Sequence, residues 1–578
     1  MRLNKILYTC AALAAVVSLS SCKDFLDTMP DTRVELTSVE KARMLLVDSY
    51  PAYNPTVVGE LTSDNMEDNN TADSKGTRFN LKPYDRADDE LFAFEQVMSN
   101  SSSDYPSGLW NGYYGSIAGA NAALECLDKL QERVKAGETV EDANLIPAVR
   151  AEALMIRAYS NFMLANIFCM PYRGPELSKA EQGLPYPIKP ETTVKPHYDR
   201  LNLAELYDRI QADIDEALPL IDNSIYTVPK YHFNQQAAYA FAARFYLWKR
   251  DYKKVLEYCN RAFGGEGANV EQYMSDIWAN AGDFYYISDF GLYYLGTDKL
   301  RNFLITATYS QAWRHYVGGL RYAVNRDAKR STIQGPGPTW DGFSFRNSQT
   351  GETFSMHPAF NGTCGLNGKS QYGSYFAGNA CEQFEYTNKI AGIGYTHVTR
   401  GELTGEETLL MRAEAKLFLG DKAGAIADLA IWEKARRDCP GAVGHEDTFK
   451  ELTEAVINRF YIDRDPGFGI AKPIHIDEVY PCDYALTADM MGVMQCIQHF
   501  RRIESVHTGM RFFDLKRLGI EWSHKIGPEN RIETMTLFDP RRAIQIPNEV
   551  VAAGFEPNKR VDADDLVSGN VITYPAAQ

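Results

Sequence analysis

The chain has 578 residues, 45% apolar and 24% charged, the proportions of an ordinary folded protein, which excludes both a disordered chain and a polytopic membrane protein. Its formal charge of −16 repels nucleic acid phosphates and anionic lipid surfaces, so nucleic acid is excluded as a partner. The 34 Tyr, 28 Phe and 7 Trp form an aromatic supply that helical cores and stacking surfaces both use.

At the N-terminus, Arg2 and Lys5 precede an apolar run from Ile6 to Leu19 that is too short to span a bilayer comfortably, the pattern of a secretory leader over 1–21. It ends in Leu19-Ser20-Ser21-Cys22, which resembles a bacterial lipobox, so Cys22 is the expected lipid-attachment residue. Acyl chains contribute about 0.8 kcal/mol per buried CH₂, so two or three on one cysteine anchor a protein without a transmembrane helix. The acidic stretch Lys23-Asp24-Phe25-Leu26-Asp27 resembles the surface-export signal of Bacteroidetes lipoproteins and points to the outer face of the outer membrane.

From about 110 to 265, apolar residues recur at spacings of three and four, which predicts paired helices. Trp110 opens one whose stripe is Ile117, Ala120, Leu124 and Leu127, and a second runs from Val149 to Ile167 through Ala153, Ile156, Ala158 and Leu164. Further helices are expected over about 203–220 and 234–248, the latter turning through Arg250-Asp251 into a partner ending near Ala262. The same pattern returns downstream, where Ala413, Ala415 and Phe418 precede Gly420-Asp421 and Ala425, Leu429 and Ile431 follow. Helix, tight turn with Asp and amphipathic return helix make a tetratricopeptide-like unit of about 34 residues.

Between 266 and 400 helical periodicity fades, and Gly, Asn, Ser and aromatic residues accumulate, as in Gly335-Pro336-Gly337-Pro338-Thr339-Trp340. Such a segment reads as a loop-rich insertion; loops this long are usually functional or disordered, and the high aromatic content argues against disorder. Cys364 and Cys381 within it are the one pair considered for a disulfide, whereas Cys126, Cys169, Cys259 and Cys496 fall on apolar helical patterns. Residues from about 440 to 578 mix short helices with Pro-containing turns and read as a cap.

Several stretches in this order resemble the SusD/RagB family of outer-membrane lipoproteins. Asp24 to Asp27 resembles the family's opening, Trp110 to Asn121 its Trp-Tyr-Ile-Asn helix, and Glu152 to Tyr159 its Glu-Ala-x-x-x-Arg-Ala helix. Gly183-Leu184-Pro185 with Tyr207 to Ala217, Glu406 to Ala415, and Arg502 to Arg517 with Gly509-Met510-Arg511-Phe512-Phe513-Asp514 resemble later blocks, and Ile544 to Pro547 the terminal one. Thr508 departs from the Glu that often precedes the signature glycine. The resemblance implies a mainly α fold, a SusD-like α/α superhelix of tetratricopeptide-like hairpins with a large loop-rich aromatic insertion and a C-terminal cap. It divides the chain into a leader (1–21), an anchored N-terminal helical region (22–265), the insertion as ligand face (266–400) and a C-terminal region (401–578).

The resemblance also implies a lid that captures an oligosaccharide, or a peptide in the RagB branch, and delivers it to a SusC-like TonB-dependent transporter. Capture without catalysis needs flat apolar rings for sugar faces and polar side chains for hydroxyls. Trp313, Trp340 and Phe343 with Arg314 and Asp341 are the candidates within the insertion, and Asp64, Asn65, Tyr84 and Arg86 are the candidates in N-terminal loops. The competing readings are that the former pack the insertion's own core and that the latter perform turn chemistry. Arg157, Arg511 and Arg517 are expected to tie helices together through buried carboxylates such as Glu152 or Asp514.

No G-x-S-x-G is present, His445-Glu446 lacks the second histidine of a zinc protease helix, and Gly362 to Lys369 misses P-loop spacing. The chain is therefore expected not to be an enzyme and to hold no cofactor or metal. The sequence leaves open whether loop carboxylates take calcium. A surface glycan hydrolase and a helical-repeat scaffold are the alternative classes.

Overall fold

The computed structural model describes residues 36–72, 76, 78–99, 102–191, 193, 196–274, 287–316, 320–324, 328, 331–332, 335–339, 344–346, 353–355, 364–366, 369–374, 380–437, 451–463 and 472–560. Helices dominate: α1 (Val39–Asp48), α2 (Thr56–Leu61), α3 (Arg86–Phe92), α4 (Pro106–Lys135), α5 (Ile146–Phe168), α6 (Leu203–Ala217), α7 (Gln235–Trp248) and α8 (Tyr252–Ala262) precede the strand-bearing region. After it come α10 (Gly405–Phe418), α11 (Lys422–Arg437), α12 (Met491–Glu504) and α13 (Met510–Arg517), with α9 (Ala312–Tyr316) inside it.

The caps explain several of these boundaries. Asn202, Asn234, Asp251 and Thr404 each accept a hydrogen bond from a backbone N–H in the first turn of α6, α7, α8 and α10. Each such cap stabilises by about 1 kcal/mol.

The hairpins pack as neighbours: α4 on α5, α5 on α6, α7 on α8, α8 on α10, and α10 on both α11 and α12. Ile117, Ala120, Leu124 and Leu127 of α4 are buried as expected, but α5 goes further, because Ala151 to Phe168 is buried on every side. Small residues at Ala151, Ala153 and Ala158 let neighbouring helices approach all around it.

The internal comparison holds at atomic detail. Arg250 and Gly420 both occupy the left-handed region, with φ of 52° and 89°. In both turns the following Asp N–H bonds the carbonyl five residues back, Tyr246 at 3.0 Å and Lys416 at 2.8 Å. A non-glycine residue is strained there. Arg250 nonetheless fits this position, because its guanidinium donates to the Tyr480 carbonyl at 2.5 Å and to Asp477 at 3.0 Å.

The family-signature arginines are ties between helices, as expected, though with partly different partners. Arg157 on α5 forks onto Asp213 of α6 with both bonds at 2.7 Å and reaches Asn121 of α4 at 2.9 Å. Glu152 is not its partner: that carboxylate takes Tyr50 at 2.8 Å and lies 2.7 Å from the His232 ring nitrogen. Arg517 forks onto Glu414 at 2.7 and 2.8 Å and bonds Asp514 at 2.7 Å, while Arg501 binds Asp514 at 2.9 Å. Burial alone raises the Asp514 carboxyl, but Arg501 and Arg517 overcome it and hold it at about 2.

The region 266–400, loop-rich in the sequence reading, contains extended structure. Strands β1 (Asn302–Tyr309), β2 (Ala380–Asn388) and β3 (Ile393–Thr404) form an antiparallel sheet in the order β1-β3-β2. Short hairpins pair Ser344–Arg346 with Thr353–Ser355 and Cys364–Leu366 with Lys369–Ser374. The cap carries one more hairpin, β4 (Trp522–Ile526) with β5 (Arg531–Met535). The Cys364 side chain lies outside the described residues, so its pairing with Cys381 does too.

Candidate ligand-binding face

Strands β2 and β3 run past the end of β1 as a two-stranded ribbon. β1 pairs β3 only as far as Tyr309 opposite His397, whereas β2 and β3 stay paired out to Asn388 opposite Ile393. The base of the ribbon is held by buried charges. Arg400 donates to Thr56 of α2 at 2.7 Å and lies 3.0 Å from Glu402, which accepts from Tyr159 of α5 at 2.5 Å. Arg244 of α7 donates to the Glu402 carbonyl at 2.7 Å.

Register assigns the side chains to two faces, because residues directly opposite in an antiparallel pair share a side. Tyr309, Gln383, Glu385, Tyr395 and His397 lie on one face, and Glu382, Phe384, Tyr386, Thr396 and Val398 on the other. On the first, the Tyr309 ring sits 5.9 Å from Tyr395 at 81° and 4.5 Å from His397. The His397 Nε2 is 2.8 Å from the Glu385 carboxylate. On the second, Phe384 and Tyr386 meet edge to face at 4.8 Å. Gly394 makes room for them, since a Cβ there would stand 2.7 Å from the Phe384 ring.

Beside the ribbon, α9 follows β1 through a turn fixed by Asp104. That buried carboxylate accepts from the Ser310 hydroxyl at 2.5 Å and the Gln311 N–H at 2.8 Å. Burial raises its carboxyl despite these two bonds. Gln311 accepts from the Tyr84 hydroxyl at 2.6 Å, and the Tyr84 ring lies 4.6 Å from His315. Arg314 donates to Thr396 at 3.3 Å and lies 3.7 Å from Glu382, whose carboxyl burial raises and Arg314 opposes.

Thus Tyr84 and Arg314 are brought together at the ribbon, with Trp313 on the same helix but its side chain outside the described residues. Trp340, Asp341 and Phe343 lie outside the described residues altogether, as does Cys22. Arg86 is strongly exposed at the start of α3, 4.0 Å from Glu90, after the helix-capping Asp85. The structure places Asp64 and Asn65 elsewhere, in the interior. Asp64 takes Arg511 at 2.8 Å and Lys472 at 2.8 Å with Arg502 at 3.7 Å, and Asn65 accepts from Arg502 at 3.0 Å. Burial alone raises the Asp64 carboxyl, but these cations hold it well below the usual range.

Sequence reasoning missed Tyr309, Phe384, Tyr386, Tyr395 and His397. Apart from Tyr231, the strongly exposed aromatic rings among the described residues are Tyr84, Tyr309, Phe384, Tyr386 and Tyr395, and all five belong to this region. Exposed rings grouped in this way mark a binding surface. A separate concavity of about 190 Å³ lies between Met98, Ser107, Gln545 and Glu549, but its polar groups satisfy one another: Gln96 bonds Asn548 at 2.6 Å and Ser107 bonds Glu549. Among the described residues no group of His, Cys, Asp or Glu is arranged to hold a metal, and no helix is long and apolar enough to cross a membrane.

The helical-hairpin array thus fixes the base of an exposed aromatic ribbon. Residues 24–247 match the SusD-like family described as starch-binding and associating with the outer membrane. A Bacteroides vulgatus protein provisionally named as sugar binding matches in fold at TM-score 0.59 and 16% identity, over 91% of this chain and 99% of its own. A Bacteroides thetaiotaomicron SusD superfamily protein matches at 0.52 and 14%, over 91% and 100%. A SusD-like carbohydrate binding protein of Bacteroides vulgatus matches at 0.50 and 12%, over 91% and 98%. No curated protein sequence matches the chain. Residues 24–247 thus carry the SusD-like sequence pattern, and the chain shares the fold of the SusD superfamily structures. The family's description names starch binding and association with the outer membrane.

Proposed function

We propose that the chain is a surface lipoprotein, anchored through Cys22, that captures an oligosaccharide on the β2–β3 ribbon and passes it to a SusC-like TonB-dependent transporter. The observation that carries this reading is the grouping of Phe384, Tyr386 and Tyr395, exposed on the two faces of a ribbon whose base is buried, with Tyr309 at the end of β1 against Tyr395. Sugar rings stack on such faces, and Arg314, Glu385, Thr396 and His397 stand beside them for the hydroxyls. Each ring contributes roughly 0.5 to 1.5 kcal/mol beyond its buried area. The family description and the names of its structural relatives support a carbohydrate, and the leader with its lipobox supports the anchor.

Isothermal titration of the chain beginning at residue 23 against host and plant oligosaccharides and mixed peptides, with chromatography of the mixtures, tests it. Saturable glycan binding without new products is expected. Binding of peptides alone, or any turnover, contradicts it.

A further inference from the structure

We propose that two copies of the chain associate through the outer edge of β2, joining two ribbons into one continuous antiparallel sheet. β2 is the last strand in the order β1-β3-β2, so among the described residues its second edge faces no strand. Such an edge presents a row of backbone N–H and C=O groups that another strand can complete. Proteins that keep edges apart place Lys or Pro on them or kink them with bulges. β2 reads Ala-Cys-Glu-Gln-Phe-Glu-Tyr-Thr-Asn with neither Lys nor Pro, and its one irregularity lies at the far end, between Tyr386 and Asn388.

The occupant follows from the strand's own register. Residues opposite each other across an antiparallel edge turn the same backbone groups toward it, so a two-fold axis must pass through a residue position. Cys381 is buried and the irregularity begins after Tyr386, so the stretch free to pair is Glu382–Tyr386, whose midpoint is Phe384, and an axis there pairs all of it. That register sets Phe384 against Phe384, Gln383 against Glu385 and Glu382 against Tyr386, with no like charges opposed. A slip to Glu385 sets two carboxylates face to face. A slip to Gln383 draws in Cys381, which is buried under the helix Ile287–Tyr294, where Gly291 leaves it room. The strand is therefore self-complementary in the one register that uses all of Glu382–Tyr386. Phe384 and Tyr386 of both copies then fall on one face of the joined sheet, doubling the aromatic strip. The pairing uses backbone edges and does not depend on the ligand reading.

Light scattering during size-exclusion chromatography, on the chain beginning at residue 23 at low and high micromolar concentration, tests the proposal. The expected result is a mass that rises with concentration to twice that of one chain. Phe384→Glu and Phe384→Lys, each checked for wild-type circular dichroism, are each expected to stay monomeric, since each sets like charges across the axis. Mixed in equal amounts, they are expected to regain the doubled mass. A wild-type chain that remains monomeric throughout overturns the proposal, even if it binds an extended peptide along β2. So does a Phe384→Glu variant that dimerises as readily as wild type. Glycan titration on the same samples separates the two readings: lost association with glycan binding intact fails this one alone, and the converse fails the functional reading alone.

Discussion

Asp64 is where the sequence and the structure assign different roles, so replacing it with Asn discriminates between them. In the fold its carboxylate neutralises a buried group of three cations: Arg511 and Lys472 each at 2.8 Å and Arg502 at 3.7 Å. Removing one member of such a group while the others stay buried costs about 3 to 5 kcal/mol. Lys472, whose ammonium burial already pushes down, can shed its proton and bring the loss to the lower end of that range. With an unfolding entropy of about 2 cal/mol/K per residue, a loss of about 3 kcal/mol in a chain this long lowers Tm by roughly 3 °C. Differential scanning calorimetry of Asp64→Asn at pH 7 is expected to show that fall, with glycan affinity of the folded protein unchanged. Wild-type Tm together with lost glycan binding refutes the reasoning and returns Asp64 to the ligand face.

Further predictions concern the ribbon, the repeat ties and pH. Tyr395→Ala is expected to weaken glycan binding about ten-fold, which is about 1.4 kcal/mol, without changing Tm, because its ring is largely in water; titration and calorimetry check both. Arg157→Lys, which cannot fork onto Asp213, is expected to lower stability by about 2 kcal/mol in urea unfolding while leaving the helical content of the folded state unchanged. Burial raises the Glu60 carboxyl to about 7, against the opposing bond from the Gly509 N–H. A raised folded-state value means its contribution is present below the unfolded carboxyl range and is lost as pH rises through 7, about 3 kcal/mol in all. Glu60→Gln is therefore expected to raise Tm at pH 8 and to change it little at pH 4.

Much of the helical array was legible because its signals are local. Caps sit beside the helices they begin, and the Arg250-Asp251 and Gly420-Asp421 turns carry their geometry within a few residues. The site was less legible for two physical reasons. The part of the ribbon toward its tip is in water on both faces, so its alternation does not mark a buried side as it does in a half-buried strand. The available signal was alternating aromatic and β-branched residues, Phe384 and Tyr386 then Tyr395, His397 and Thr399, on either side of a turn containing Gly392. Asp64-Asn65 has the composition of a loop, and nothing nearby reveals that Arg511, 447 positions away, closes over it. Local pattern reports backbone geometry, whereas a buried ion cluster is assembled by the whole fold.

The most direct test of the central claim is hydrogen–deuterium exchange on the chain beginning at residue 23, with and without a saturating oligosaccharide that titration has shown to bind. The account predicts slowed exchange concentrated over the ribbon at 380–400 and over 309–316. Protection confined to the concavity around Met98 and Glu549, with the ribbon unchanged, contradicts it.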